Sequence, residues 1–381
     1  MVKYKTQTSC RICRAPIRPI IFFGEQPLAN DFVKHRSAPL TMMHCTDCGL
    51  WQLEEVVSPE VLYGDYAYVA GSGGMQRAMF ADLAAQAKER CPEGNKILDI
   101  GGNDGALLNE FWDWATINVD PNAKGTADVN ISELWSTQIA KRFRSEIDII
   151  TATNAFAHID DLHEAVQAVA VALKRGGYFI IQVPWLRDLL KFNYYDTIYH
   201  EHLSYFTIHS LRRLFQQHWM DIKHVDYLPD IHGGTLRVWA GHGNDNVDNS
   251  VAELAAMEDE IDKIDFPRQF VEHRRKLSDL LPKQFWLYGA SAKGIMLVNL
   301  CGLQDRLIGV MDDTKEKVGK YLPGTESFIV KSDTVPMMAC TKTTVLVGAW
   351  NYLDRVKDKL RSIGWKGKIV VPFPEPRMEK L

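Results

Sequence analysis

The sequence predicts an α/β protein built from three consecutive parts, and three observations lead to this prediction. Two CxxC pairs occur within the first 48 residues, in a stretch that reads as rich in turns and poor in strands. From Lys96 to Ala240, short β-like runs such as KILDI and IDIITAT alternate with helical stretches. A polar, helix-like stretch over 244–283 is then followed by a second alternation, from QFWLYGA to GKIVVP. At 381 residues the chain is also too long for one ordinary core.

Composition and charge exclude several classes of protein. Hydrophobic residues make up 46% of the chain and charged residues 24%, as in ordinary globular proteins, and the formal net charge is −4. Because there is no long basic run, binding to nucleic acid through neutralised phosphates is not expected. No stretch approaches the roughly 20 apolar residues of a membrane span, and MVKYKTQTSC has no apolar signal region. We therefore expect a cytoplasmic protein with neither a membrane nor a nucleic-acid partner.

The four cysteines of the CxxC pairs, Cys10, Cys13, Cys45 and Cys48, predict a structural zinc site. Two such pairs can supply four thiolates in tetrahedral arrangement, and the 31 residues between them act only as a longer loop. The alternatives are four unmetallated thiols or one redox-active pair. A redox pair normally opens a helix in a βαβ unit, and neither pair has that setting. Since protein fills all four positions, the metal is expected to do no chemistry.

The run ILDIGGNDGALL predicts a buried strand, a glycine turn and the start of a helix. Its glycines let the backbone approach a ligand, and an aspartate at the end of the next strand can accept hydrogen bonds from ribose hydroxyls. The spacing is not the G-x-G-x-x-G that a pyrophosphate prefers, which favours S-adenosylmethionine over a nicotinamide or flavin cofactor. The alternative is a purely structural turn. The predicted cofactor-binding residues are Asp99, Gly101, Asn103, Gly105, Asp120 and Asn154.

Several motifs together carry a resemblance to a known enzyme family. They are the CxxC pairs, FGEQPLAN, DIGGNDGALL, ATNAFAHIDDLHEAV, IYHEHLSYF and HGGTLRVWA, and they span nearly the whole chain. In this combination the sequence resembles the S-adenosylmethionine-dependent sugar C-methyltransferases, which act on nucleotide-linked 4-keto deoxysugars. The resemblance implies a zinc-binding module (residues 1–72) and a Rossmann-like methyltransferase domain (73–243). A helical connector and a C-terminal Rossmann-like nucleotide-binding domain would follow (244–381).

The run TIYHEHLSYF concentrates titratable and aromatic side chains in ten positions. To methylate a carbon next to a ketone, an enzyme must remove an α proton and stabilise the resulting enolate. A histidine is a suitable base, a tyrosine or second histidine can donate to the oxyanion, and a carboxylate can orient the base. The resemblance implies that His202 is the base, with Tyr199 and Glu201 beside the sugar ring. The alternative is a run that caps a helix and satisfies its own hydrogen bonds.

Further side chains are predicted to join this cluster. His158 follows the strand IDIITAT, so it should lie at the carboxyl edge of the sheet, where doubly wound folds bind ligands. The resemblance also implies a functional histidine there. Tyr66 or Tyr68, in GDYAYVAG, is expected to reach over from the end of the zinc-binding module and close the site.

A second strand, glycine turn and helix occur in FWLYGASAKGIMLVN and predict a site for the nucleotide half of the substrate. The run is not a Walker P-loop, but small residues, a helix N-terminus and one lysine can hold a diphosphate. The alternative is a Rossmann-like domain without a ligand. HGGTLRVWA adds two weaker candidates, and for its arginine the alternative is a pair with a surface acid. The predicted substrate-binding residues are Gly289, Ser291, Lys293, Gly294, Asp312, His232 and Arg237.

The leading hypothesis is transfer of a methyl group from S-adenosylmethionine to the carbon α to the ketone of a nucleotide sugar, by an enzyme expected to be a monomer. A second hypothesis keeps the cofactor but methylates oxygen or nitrogen, which needs no enolate and leaves the histidine cluster unexplained. A third is a zinc-containing nucleotide-sugar-binding protein without catalysis. The intact aspartates and glycines of the first turn argue against this third hypothesis.

Overall fold

The computed structural model describes residues 2–64, 74–335 and 343–381, and its sheets confirm the α/β fold class. The described strands form a four-stranded, a seven-stranded and a six-stranded sheet, together with a two-stranded ribbon. Short 3-10 helices connect many of these strands to the longer helices. They cover Leu108–Phe111, Lys141–Phe143, Phe156–His158, Tyr195–Thr197, Met257–Lys263, Gln304–Arg306, Ser332–Thr334 and Trp350–Tyr352.

The N-terminal region is built on an antiparallel sheet, so the prediction of a strand-poor region is wrong. Gly24, with a φ of +79°, lies at a bulge inside the longest strand of this sheet and does not end it, although glycine commonly marks a turn. The sheet strands in spatial order are Ser204–Tyr205, Trp51–Leu53, Ser37–His44 and Arg18–Pro27. Tyr4–Thr6 and Glu55–Val57 form the ribbon, and one helix covers Pro59–Tyr63.

The seven-stranded sheet carries the alternation predicted from Lys96 onward. Its five parallel strands are mostly buried apolar runs, as expected of strands covered on both faces. Strand order reverses between Lys96–Ile100 and Ile147–Thr153, so a ligand crevice is expected at the carboxyl ends of these two strands. The spatial order is Met220–Leu228, Thr235–His242, Leu173–Pro184, Ile147–Thr153, Lys96–Ile100, Ala115–Val119 and Val129–Ile131. The accompanying helices are Gly74–Arg90, Thr137–Ala140, Leu162–Ala172, Leu186–Lys191 and Ile208–Gln216.

The C-terminal sheet begins after two connecting helices, Asn249–Ala256 and Phe266–Leu280, which match the predicted helical connector. Five strands are parallel, and the last is an antiparallel edge strand that the sequence analysis did not predict. The spatial order is Ile329–Val330, Leu307–Met311, Phe285–Tyr288, Val345–Val347, Lys368–Val371 and Arg377–Lys380. The helices Ala292–Leu300 and Leu353–Ser362 pack with this sheet. The predicted boundaries at residues 72 and 243 stay predictions.

One apolar cluster joins the N-terminal sheet, segment 186–205 and the C-terminal sheet. Phe270 of the second connecting helix shows how they meet. Its ring packs edge-on against Phe23 of the N-terminal sheet and against Tyr195, with centroids 5.3 and 4.9 Å apart. Tyr195 has no exposed surface. The three parts therefore share a core around segment 186–205.

Substitution of Gly289 by alanine is expected to destabilise the protein more than Gly364→Ala. Both glycines have positive φ, +101° and +76°, so each substitution costs about 1–2 kcal/mol of backbone strain. A Cβ on Gly289 would in addition lie 2.8 Å from the Cβ of Ala349, whereas nothing lies within 4 Å of one on Gly364. Urea unfolding of both variants measures the difference, and equal losses of unfolding free energy would contradict the packing argument.

Candidate active site and zinc centre

The four cysteines of the CxxC pairs converge on one point. Their sulfur atoms all lie within 4.8 Å of one another, and Cys10–Cys48 and Cys13–Cys45 are each 3.4 Å apart. Gly49, with a φ of +74°, closes the second knuckle by donating its N–H to the Cys45 carbonyl at 2.9 Å. The sulfurs are farther apart than the about 2.05 Å of a disulfide and close to the about 3.8 Å between thiolates on one tetrahedral zinc. These residues therefore fit a zinc ion.

The first glycine turn gathers the predicted cofactor residues at the carboxyl edge of the seven-stranded sheet. Gly101 has a φ of +70°, and a Cβ there would lie 2.6 Å from the Cβ of Ala155. Asp120 holds the loop by accepting the backbone N–H groups of Asn103 at 3.1 Å and Asn122 at 2.6 Å. The same edge carries the remaining predicted residues, Asp99, Gly105 and Asn154.

Within its own residues, the first glycine turn has no cationic side chain for a cofactor that is held by its phosphates. From position 97 to 105 the chain has two aspartates and neither lysine nor arginine. Asp99 accepts a hydrogen bond from the Thr151 hydroxyl at 2.6 Å, and burial raises the pKa of Asp99 to about 7. A cofactor held by its phosphates would call for cationic partners or a phosphate-binding glycine motif. The residues present fit S-adenosylmethionine. The predicted contact of Asp120 with a ribose stays a prediction.

His202 lies at the centre of the predicted catalytic cluster and is held at both ring nitrogens. Its Nδ1 is 2.8 Å from the Thr197 carbonyl oxygen, and its Nε2 is 2.8 Å from the Tyr199 hydroxyl. A carbonyl can only accept, so Nδ1 carries the proton and the neutral ring presents the lone pair of Nε2. The hydroxyl of Tyr199 therefore donates to Nε2. This geometry is that of an oriented general base.

His158 joins this cluster from the adjacent strand end, as predicted. Its ring centroid lies 5.1 Å from that of His202. Its Nδ1 lies 3.4 Å from the Tyr63 hydroxyl, and the Tyr63 and His158 rings are nearly parallel with centroids 6.4 Å apart. Tyr66 and Tyr68 lie outside the described residues. Tyr63, which the sequence analysis did not single out, therefore reaches the site from the end of the N-terminal region.

Glu201 and His200 have different partners, although they are neighbours in the chain. The Glu201 carboxylate is buried, and its two oxygens accept from the Asn30 amide at 2.8 and 2.9 Å. His200 Nε2 lies 3.2 and 3.0 Å from the carbonyl oxygens of Ala38 and Pro39. His200 therefore fastens the segment to the N-terminal sheet, whereas Glu201 is placed by the asparagine of FGEQPLAN.

Burial keeps the imidazoles of the site neutral. Desolvation, followed by the neighbouring His158 and then by Lys293 and His232, holds the pKa of His202 well below its usual value. Burial also lowers the pKa of His158 to about 4, and burial together with Lys293 lowers the pKa of His232 to about 4. A neutral ring at position 202 is the form that can accept a proton.

Lys293 of the second glycine turn contacts the loop that carries His232, in the predicted methyltransferase domain. Its Nζ donates to the carbonyl oxygen of His232 at 2.9 Å and lies 4.8 Å from the centroid of the Trp350 ring. His232, in HGGTLRVWA, therefore meets the C-terminal turn, which brings two predicted substrate-binding residues together. The predicted diphosphate contact of Lys293 stays a prediction.

The other predicted residues of the second turn mainly hold the turn itself. Asp312 accepts the N–H groups of Ala290 at 2.7 Å and Thr314 at 2.8 Å, much as Asp120 does in the first turn. Ser291 caps the helix Ala292–Leu300 by accepting the N–H of Gly294 at 3.1 Å. A Cβ on Gly294 would lie 2.4 Å from the oxygen of Gly289, so these two glycines permit close packing.

Arg237 is engaged away from this group. Its side chain is fully buried, and its Nη1 donates to Asp82 Oδ2 at 2.7 Å. Asp82 is about half exposed, with 54% relative side-chain accessibility. This contact corresponds to the alternative stated for Arg237, a pair with a surface acid. It gives no support to the predicted substrate contact.

Comparison with known proteins assigns the family. Family models match three consecutive stretches, a zinc binding domain over 10–63, a methyltransferase domain over 73–218 and a C-methyltransferase C-terminal domain over 230–374. C-methyltransferase NovU from Streptomyces niveus is 31% identical over 406 residues, which cover 97% of this chain and 96% of NovU. The chain belongs to this C-methyltransferase family.

Solved structures resemble this C-methyltransferase only weakly. The 1,6-didemethyltoxoflavin-N1-methyltransferase of Burkholderia thailandensis has a TM-score of 0.36 at 13% identity, over 45% of this chain and 80% of that one. Magnesium protoporphyrin IX methyltransferase from Synechocystis PCC 6803 has a TM-score of 0.34 at 10% identity, over 48% of this chain and 89% of that one. At these TM-scores, neither similarity bears on the function of this chain.

The enzyme is thus an S-adenosylmethionine-dependent C-methyltransferase with a zinc-binding domain, as predicted. Its family makes carbon the methylated atom, which decides against the hypothesis of oxygen or nitrogen transfer and against a protein without catalysis. Among residues 2–64, 74–335 and 343–381, no helix is long and apolar enough to span a membrane.

Replacement of Cys48 by serine is expected to remove most of the bound zinc and to lower the melting temperature. Metal binding to a structural four-cysteine site contributes directly to folding, so its loss destabilises the folded state. Cys91→Ser is the matched control, because Cys91 lies outside the cluster. Zinc content per chain and thermal melting with and without a chelator measure both effects. A Cys48→Ser protein that retained one zinc per chain would contradict the assigned ligand set.

Proposed function

We propose that this C-methyltransferase acts at the carbon α to the ketone of a nucleotide-linked 4-keto deoxysugar, with His202 as the base. The observation that carries the proposal is the hydrogen bond between His202 Nδ1 and the Thr197 carbonyl oxygen. Because this bond fixes the proton on Nδ1, Nε2 is free to take a proton once Tyr199 turns its hydroxyl to another acceptor. Methyl transfer to a carbon that is not already nucleophilic needs such a base.

The proton and electron movements follow from this arrangement. Nε2 of His202 takes the α proton, and the electron pair of the C–H bond moves onto the ketone oxygen as an enolate. The hydroxyl of Tyr199, released from Nε2, donates to the developing oxyanion. The enolate carbon is then the nucleophile, and the proton stays on the imidazole. When bound, S-adenosylmethionine would supply an electrophilic methyl group, whose bond to the positively charged sulfur breaks as the new carbon–carbon bond forms, so that S-adenosylhomocysteine leaves.

Burial of the surrounding groups supports this chemistry. The His158 ring lies with its centroid 5.1 Å from that of His202, and the buried Glu201 carboxylate is fixed by Asn30. In a site that excludes water, fixed dipoles and charges act more strongly on a developing oxyanion than they do in solution. We propose that Glu201 contacts the sugar hydroxyls, because its buried carboxylate is held in place by Asn30 and belongs to the segment that carries His202.

We assign the nucleotide half of the substrate to the C-terminal domain. Its second glycine turn leads into the helix Ala292–Leu300, whose N-terminal N–H groups can face a diphosphate. Lys317 donates to the Ala290 carbonyl at 2.9 Å and thereby places a second cation near this turn. The sugar would extend from there toward His232 and the base, where Lys293 crosses the interface.

Replacing His202 by asparagine is expected to abolish exchange of the α deuterium of a 4-keto nucleotide sugar, because asparagine cannot accept the proton at neutral pH. The loss should be at least about 100-fold in rate. Binding of S-adenosylhomocysteine, measured by calorimetry, should be unchanged, since the first glycine turn is untouched.

The matched control is His209→Asn, an exposed histidine in the helix that follows the cluster. It should exchange deuterium at the wild-type rate. Normal exchange by the His202→Asn protein would show that another group is the base, and a wild-type enzyme without exchange would disprove the proposed reaction.

Substitution of Lys293 by methionine is expected to move the acid limb of the pH–rate profile to higher pH. Charged and titratable groups around His202 include Lys293, His158, His232, Tyr199 and Tyr205. The cation of Lys293 lowers the pKa of His202. Removing this cation makes protonation of His202 easier, so its pKa rises and the base is lost at a higher pH. Lys315→Met removes the same charge at an exposed position and should leave the profile unchanged. A downward shift of the acid limb would contradict the electrostatic argument.

A further inference from the structure

Asp196 connects the predicted base to the C-terminal domain. It lies in the 3-10 helix Tyr195–Thr197, whose last residue supplies the carbonyl that holds His202 Nδ1. Asp196 is fully buried, and its Oδ2 accepts the indole N–H of Trp350 at 2.6 Å. Trp350 belongs to the 3-10 helix that follows the C-terminal strand Val345–Val347. Trp350 is thus hydrogen-bonded to Asp196, and the next residue, Thr197, is hydrogen-bonded to His202. These contacts connect the C-terminal domain to the proposed base.

The indole N–H is a critical partner for this carboxylate. The second oxygen of Asp196 is buried and has no hydrogen-bond partner among the described residues. Burial raises the pKa of Asp196 to about 6, and the nearby ammonium of Lys293, the bond from Trp350 and the backbone N–H groups of Asp196 and Thr197 oppose that rise. A buried carboxylate that loses its side-chain donor is destabilised and is driven to move or to take up a proton. Either response displaces the turn that carries the Thr197 carbonyl.

Two groups that border the site also contact the ring of Trp350. The Tyr194 ring stacks on it, with centroids 4.7 Å apart and an interplanar angle of 28°. The Lys293 ammonium lies 4.8 Å from its centroid and donates to the His232 carbonyl. The indole is therefore fixed by contacts to the turn before His202 and to the loop of His232. A single C-terminal side chain thus reaches both loops of the methyl-transfer site.

We propose that Trp350 and Asp196 are positioning residues for His202. Through them the C-terminal domain sets the tautomer of the base, in addition to binding substrate. The inference rests on the proposed role of His202 as the base. It differs from a packing role, because packing would require the indole ring but not its N–H.

The test uses the full-length enzyme with 15N-labelled histidine and the variants Trp350→Phe and Asp196→Asn. In the wild type, the 15N signals of His202, assigned by their loss in His202→Asn, should report the proton on Nδ1. Trp350→Phe keeps an aromatic ring but removes the N–H, and it should convert His202 to a mixture of tautomers. Asp196→Asn keeps an acceptor oxygen for the indole and should perturb His202 less than Trp350→Phe does.

Trp365→Phe is the matched control, because Trp365 is buried in the same domain and its indole N–H has no partner among the described residues. It should leave the signals of His202 as in the wild type. With a 4-keto nucleotide sugar, Trp350→Phe should lower kcat for deuterium exchange at least about tenfold and change KM less than about twofold, as expected for loss of base positioning.

The two arms separate this inference from the proposed function. If wild-type enzyme exchanges no α deuterium, the proposed reaction fails, while the 15N signals still show whether Trp350 controls the imidazole. Identical His202 signals in Trp350→Phe, Asp196→Asn and Trp365→Phe would overturn the positioning role, whatever the reaction. If Trp350→Phe does not fold, an unchanged His202 in Asp196→Ala, which removes the acceptor from the other side, would overturn it equally.

Discussion

Segment 195–206 is attached to all three parts of the chain, and the geometry of the candidate active site depends on these attachments. Strand Ser204–Tyr205 pairs with Trp51–Leu53 of the N-terminal sheet. The N–H of Leu203 donates to the Ala157 carbonyl at 2.8 Å, next to His158 in the methyltransferase sheet. Asp196 is bound by Trp350 of the C-terminal domain. Buried backbone groups must find partners, so each of these attachments leaves few alternative conformations for the segment.

This fastening determines which chemistry the segment can perform. The 3-10 helix at its start offers the Thr197 carbonyl, and the residues that follow return the ring of His202 to that carbonyl. The Thr197 carbonyl thus orients the ring, and both ends of the loop are anchored to other parts of the chain. Desolvation lowers the pKa of His202 and so favours its neutral form.

The sequence predicted the two large sheets well and the N-terminal sheet poorly, for a physical reason. Parallel strands are buried on both faces, so runs such as Ile147–Thr153 are continuously apolar and easy to recognise. Arg18–Pro27 is partly exposed and bulged at Gly24, which reads as a turn. The edge strand Arg377–Lys380 is polar and short, and prolines precede it. Its pairing depends on a neighbouring strand and not on its own pattern.

The same distinction applies to the site. Residues inside compact motifs, such as Asp120 and His158, could be placed at the carboxyl edge of the sheet because strand ends fix that position. Other side chains reach the site through contacts between residues that are far apart in the sequence, and no local pattern marks them. They are Tyr63, Asn30, Asp196 and Trp350. Asn30 had the strongest signal, since it ends FGEQPLAN, a motif that was recognised but given no role. The predicted role of Lys293 in substrate binding rests only on its place in the second glycine turn. The sequence did not show that its side chain reaches the His232 carbonyl.

The zinc centre can affect catalysis only through the backbone, because protein ligands fill its coordination sphere. The path is short. The backbone N–H of Arg11, between the first two cysteines, donates to the Gln52 side chain at 2.9 Å, and the Arg11 guanidinium donates to the Leu53 carbonyl at 2.9 Å. Gln52 and Leu53 lie in the strand that pairs with Ser204–Tyr205. A knuckle that holds Arg11 in place therefore also holds the strand that pairs with Ser204–Tyr205. Through this strand the metal would contribute to the geometry of the proposed base, His202, without approaching the substrate.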